Sequence, residues 1–194
     1  MNKIKPILVI LATIGTILMN WLASTGFIGG ITPEVISNRY PTFITPAGYA
    51  FTIWGWIFLG MIIFAIIQAI PKNFEKFSKM RTFYLISCVF NCLWIYVWHN
   101  LLITVSVFVI LSLLGSLAAI NLVLERENNL FARMLFGGYF AWVTVASVVN
   151  ITIALVFNGV QTSDNAGIWL ASGLIVVATI IGIFLRHKLP NFAY

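Results

Sequence analysis

The chemistry this chain offers is that of aromatic faces and neutral amides rather than of acids, bases or metal ligands. In one apolar stretch Asn91, Trp94 and Trp98 stand at i, i+3 and i+7, which puts them on one side of a helix. Tyr139, Trp142, Ala146 and Asn150 share a face in the same way, the small Ala146 leaving room between larger neighbours. A third stripe holds Ala50, Trp54, Phe58 and Met61. Indole and phenyl faces stack on flat apolar molecules and a carboxamide hydrogen-bonds a polar edge, so three such stripes facing one another make a pocket for a planar ligand. The competing reading places tryptophans in the interfacial belt of a membrane and asparagines in helix–helix hydrogen bonds. Trp21, Trp56 and Trp169 share no face with other distinctive residues and take the belt reading; Trp54, Trp94 and Trp142 take the pocket.

Other chemistries find no support. There is no Walker loop, dinucleotide fingerprint, zinc motif or serine elbow, and nothing points to nucleic acid. Cys88 and Cys92 lie one turn apart in a run without His, Asp or Glu, and read as small packing residues. His99 reads as a polar cap at a helix end facing water, and His187 as part of a basic tail.

The elements that must position the stripes are membrane helices. The chain is 61% hydrophobic and 8% charged, with a mean hydropathy of +1.01, far from the composition of soluble domains. Uncharged apolar runs cover 7–23, 47–70, 82–99, 102–124, 134–157 and 168–185. Each is near the ~20 residues that cross a hydrocarbon core, and none shows the alternation of a barrel strand. The expectation is an all-α integral membrane protein, one transmembrane domain over 1–194 with six helices. So delimited, no helix contains a cation, and coupled transport through a buried ionisable group is disfavoured.

Ten of the eleven Lys and Arg residues fall on one side of this arrangement if the N-terminus is cytoplasmic; Arg39 alone is outside. Positive residues in short loops resist translocation, so both termini are expected in the cytoplasm and the first loop, 24–46, outside. The four cations of 71–81 against Glu75 fit topology marking and attraction to an anionic bilayer surface. Lys3 and Lys5 before an apolar run also suit a signal peptide, but Trp21 or Leu22 would stand where cleavage wants a small side chain, and the first run is read as a retained helix.

The first loop ends in Arg39-Tyr40-Pro41-Thr42-Phe43-Ile44-Thr45-Pro46. Proline fixes its own φ and lacks an amide proton, so Pro41 and Pro46 are expected to hold a stiff extended lid and start the next helix at Ala47.

At these residues the chain resembles the translocator protein and tryptophan-rich sensory protein family (TspO/MBR). The family's first loop carries Lys-Pro-x-Trp-x-Pro-Pro; here one residue is inserted before Pro41, Phe43 takes the Trp position and Thr45 replaces the first paired proline. Trp54, Phe58 and Met61 match the family's second helix, Asn91 and Trp94 its Asn-x-x-Trp, and Tyr139, Trp142 and Asn150 its fifth helix. The resemblance covers roughly 7–157. Gly138 stands where a proline usually heads the fifth helix, which implies a looser start there. The sterol-recognition pattern expected after that helix needs Tyr and then Lys or Arg, neither of which occurs in 151–160. The run 168–185 has no counterpart in the five-helix pattern.

What the resemblance implies is a pocket lined by Trp54, Phe58, Met61, Asn91, Trp94, Tyr139, Trp142, Ala146 and Asn150, lidded by Arg39, Pro41, Phe43 and Pro46. Its ligand would be a porphyrin, haem-related or other flat hydrophobic molecule, with no obligatory cofactor or metal. Arg39 is the cation offered to a tetrapyrrole carboxylate. The resemblance also implies a homodimer in a bacterial cell membrane, and links the tryptophans matched by Trp54 and Trp142 to light-driven porphyrin breakdown, which does not by itself make an enzyme. A small-solute transporter and a structural membrane partner remain the alternatives to a sensor or carrier.

Overall fold

In lipid no water is available to a free amide or carbonyl, so apolar runs of this length become helices. In the computed structural model the described residues are 4–127, 129–160 and eight positions between 168 and 183; among them there is no strand. Among the described residues five helices are long and apolar enough to cross a membrane. They are α1 (Ile4–Ser24), the span Gly48–Gln68, α4 (Ser78–His99), α5 (Ile103–Glu125) and α6 (Leu130–Phe157). The second span begins as a 3-10 turn, Gly48–Thr52, and continues as α3 (Ile53–Gln68). A short α2 (Pro33–Asn38) lies between α1 and α3. The expected sixth helix, 168–185, lies outside the described residues apart from those eight positions, which are helical.

Charge-free runs understate these helices. α4 starts at Ser78 rather than 82 and α6 at Leu130 rather than 134, where the Asn129 side chain accepts from the Ala132 amide at 2.9 Å. Gly138 is therefore well inside α6 and not at its head. The longer helices also take in cations, contrary to expectation. Arg81 is buried in α4, donating from Nε to Gln68 Oε1 at 2.7 Å, from Nη2 to Gln68 O at 2.8 Å and from Nη1 to Phe74 O at 2.7 Å. Gln68 Nε2 in turn donates to Pro6 O at 3.0 Å. The guanidinium thus satisfies the Gln68 carbonyl left open at the end of α3 and the Phe74 carbonyl of the following loop, tying both to α4, while Gln68 ties that end to α1.

The five spans form a ring in the order α1, α4, α5, α6, α3. Packing is extensive along α1–α4–α5–α6, whereas α3 closes the ring through thinner contacts with α1 and α6. α3 approaches α6 at Gly60, where a Cβ would overlap the Leu135 side chain. The end of the bundle that holds Arg81 is filled: Phe64 packs edge-on to Phe136 at 5.0 Å and Phe77 at 5.4 Å, and against Tyr84 at 5.3 Å. The opposite end, under α2, is hollow.

Candidate ligand-binding site

Thr32-Pro33-Glu34 starts a helix inside the expected lid. The Thr32 side chain accepts from the Val35 amide at 3.4 Å, and Pro33 occupies the first turn, where its missing N–H is not needed. Trp98 Nε1 donates to Pro33 O at 3.3 Å, and Tyr40 meets Phe157 edge-on at 5.6 Å, so both ends of α2 are pinned to the ring. The stretch after it is not the stiff extended strap expected. It turns back at Thr42–Thr45, whose side chains and amides bond one another (Thr42 N to Thr45 Oγ1, 2.8 Å). Nor does the α-helix begin at Ala47: the five residues of the 3-10 turn Gly48–Thr52 separate it from Ile53.

Two adjoining spaces lie beneath α2. The larger, about 470 Å³, sits between α1, α3 and α4, with Asn20, Trp21, Glu34, Trp54, Phe58 and Trp94 on its walls. The smaller, about 40 Å³, is a cleft between α2, α4 and α6 lined by Ser37, Pro46, Trp98, Trp142, Ala146 and Asn150, among others. Pro33, Phe51 and Trp94 belong to both. Ile17 and Trp21 continue the larger space into an apolar groove between α1 and α3 that runs past Ile14, Leu18, Ile62 and Ile66.

The aromatic residues do come together. Trp54 stacks on Phe58 at 5.4 Å and meets Tyr139 and Trp142 edge-on at 5.8 and 6.3 Å. Trp94 stacks on Trp98 at 5.4 Å. The amides behave differently from a ligand-facing pair. Asn91, fully buried, accepts from Asn20 Nδ2 at 2.6 Å and donates to Tyr139 Oη at 2.9 Å, which links α1, α4 and α6. Asn150 accepts from Trp94 Nε1 and donates to Ser106 Oγ, each at 2.9 Å. Both asparagines join helices, and neither Asn91, Met61 nor Tyr139 lines either space. Arg39, Pro41 and Phe43 are exposed and line neither; only Pro46 of the expected lid residues does. Two polar atoms at the cleft have no partner among the described residues: Ser37 Oγ and Trp142 Nε1. His99 does not face water. It is buried, its Nδ1 bonded to Ile95 O at 2.9 Å and its Nε2 without a partner among the described residues.

The sequence profile of the TSPO-like protein family matches residues 6–194. The chain belongs to that family. No curated protein and no solved structure gives a significant match. The TSPO-like match continues to residue 194, so it takes in the stretch beyond 157 that the five-helix motifs left unaccounted for.

Within this TSPO-like chain, sequence reasoning missed Asn20, Trp21, Glu34, Ser37 and Phe51. Trp21 was assigned to the interfacial belt; it is 58% exposed, yet it forms the rim between cavity and groove. Trp56 is 76% exposed on the outer face of α3 and lines neither space. The Thr-Pro-Glu signature of a helix start was the available signal for α2, and with it for Glu34 and Ser37. Cys88 is buried and Cys92 half-buried, its Sγ 3.8 Å from Thr16 Oγ1, as packing thiols would be. No cluster of three or more His, Cys, Asp or Glu side chains able to hold a metal occurs among the described residues.

Proposed function

We propose that this membrane protein binds a flat hydrophobic molecule, of the tetrapyrrole-like shape its family resemblance implies, in the cavity between α1, α3 and α4, and acts as a sensor or carrier for it. The observation that carries this reading is the cavity of about 470 Å³ itself, roofed by α2 and walled by Trp54, Phe58 and Trp94 in a bundle whose other end is occupied by the cluster of Phe64, Phe77 and Phe136. Rings fixed by mutual stacking and by the Trp94–Asn150 hydrogen bond present faces that need no reordering to receive a planar ligand. The groove between α1 and α3 gives a lipid-dissolved molecule lateral access, which suits a carrier or sensor of membrane-soluble compounds better than a pore for polar solutes.

The test uses the neutral octaethylporphyrin and tryptophan fluorescence quenching in detergent. Trp54→Leu removes stacking and burial worth about 1 to 3 kcal/mol, so affinity falls roughly fivefold to a hundredfold. Trp56→Leu, two residues away on the outer face, leaves it unchanged. Equal affinity in the two variants would mean that quenching reports partition into the micelle, and the site would be lost. Solvent extraction of the purified protein followed by mass spectrometry then identifies the molecule it carries.

A further inference from the structure

We propose that the larger cavity selects a hydrophobic cation, a flat apolar molecule bearing a protonated amine. This rests on the binding reading above and adds to it the charge of the ligand. Glu34 is the charged side chain on the cavity wall, and among the described residues no hydrogen bond or ion pair to its carboxylate is found. The carboxylate lies against Gly48, where a Cβ would overlap it, so the glycine leaves the room that this side chain occupies. Arg39, the counter-charge the sequence offered for an acidic ligand, caps the far end of the same short helix, is exposed and lines neither space.

The neutral polar groups point the same way. Asn20 Nδ2 donates to the Thr16 carbonyl at 2.9 Å; a carbonyl can only accept, so the amide orientation is fixed and Oδ1 has no partner among the described residues. The Ser24 and Thr52 hydroxyls, also on the cavity wall, spend their protons on carbonyls three residues earlier, Trp21 O at 2.9 Å and Tyr49 O at 2.7 Å, and so have only acceptor capacity left to offer. An anion entering here loses water and meets a like charge. An ammonium ion meets a carboxylate, an amide oxygen and the faces of Trp54, Phe58 and Trp94.

Three anthracene probes of closely matched shape test this on the whole chain in a neutral detergent, each read by energy transfer from tryptophan: 9-(aminomethyl)anthracene, its neutral isostere 9-ethylanthracene, and anthracene-9-carboxylate. The ammonium probe should bind about tenfold tighter than the neutral one, as a single desolvated cation contact gives, and the carboxylate most weakly. Glu34→Gln should bring the ammonium probe down to the affinity of the neutral probe, whose own binding stays the same and certifies the fold of the variant. Glu34→Lys should reverse the order of the two ions. Equal binding of ammonium and neutral probes to the unaltered protein overturns the proposal, as does an ammonium preference that survives in Glu34→Gln. If the neutral probe fails to saturate in the unaltered protein, the cavity reading falls and the charge preference with it.

Discussion

Trp94 and Trp142 are neighbours across one small cleft, yet their indole N–H groups have opposite fates. Trp94 Nε1 donates to Asn150 Oδ1 at 2.9 Å, whereas Trp142 Nε1 is buried with no partner among the described residues. A made hydrogen bond lost on one side leaves its acceptor stranded, while removal of an unmet donor leaves nothing stranded. Trp94→Phe should therefore destabilise the protein by about 1 to 3 kcal/mol more than Trp142→Phe, which thermal unfolding in detergent would register as a melting temperature several degrees lower. Coincident melting curves would show that the Trp94–Asn150 bond contributes nothing. The stripes on the sequence placed Trp54, Phe58, Trp94 and Trp142 together because helical spacing reports which residues share a face. It cannot report what stands opposite. The partners of Asn91 and Asn150 are Asn20, Tyr139 and Ser106, on other helices, and so two residues expected to read a ligand turn out to hold the ring together.

At the scale of elements, hydropathy located five membrane spans but misjudged their ends, because it stops counting at the first charge. Ser78, Lys79, Met80 and Arg81 belong to α4 since a guanidinium bonded to the last carbonyl of α3 and to Phe74 O of the following loop is as well satisfied inside a helix as in a loop. The lid was harder to read. Two prolines suggested a rigid strap, but a six-residue helix is too short for periodicity to show, and only its Thr-Pro start betrays it. Thr32→Ala removes the side chain that accepts from Val35 N, a loss of about 1 kcal/mol. Amide exchange over 33–38 should then quicken roughly fivefold while α4 keeps its protection. Unaltered exchange over α2 would mean that the contacts of Trp98 and Tyr40, rather than the cap, hold the lid shut.

The whole molecule is a ring that is full at one end and hollow at the other, and the charges divide along the same axis. Lys72, Lys76, Lys79 and Arg81 gather at the end closed by Phe64, Phe77 and Phe136, while Glu34 and Arg39 lie with the cavity and α2. That polarity was legible in the sequence, because short loops keep their cations out of the translocated side whatever the helices do between them. By that rule the cavity is expected outside and the filled end in the cytoplasm. Phe43 and Glu75 are both exposed, one at each end, and single cysteines there in a background lacking Cys88 and Cys92 report the orientation directly. In intact cells an impermeant maleimide should modify Phe43→Cys and leave Glu75→Cys unmodified until the membrane is opened. The reverse pattern would put the cavity on the cytoplasmic side, where a ligand made inside the cell would reach α2 without crossing the bilayer, and the sense of any carrier function would be inverted.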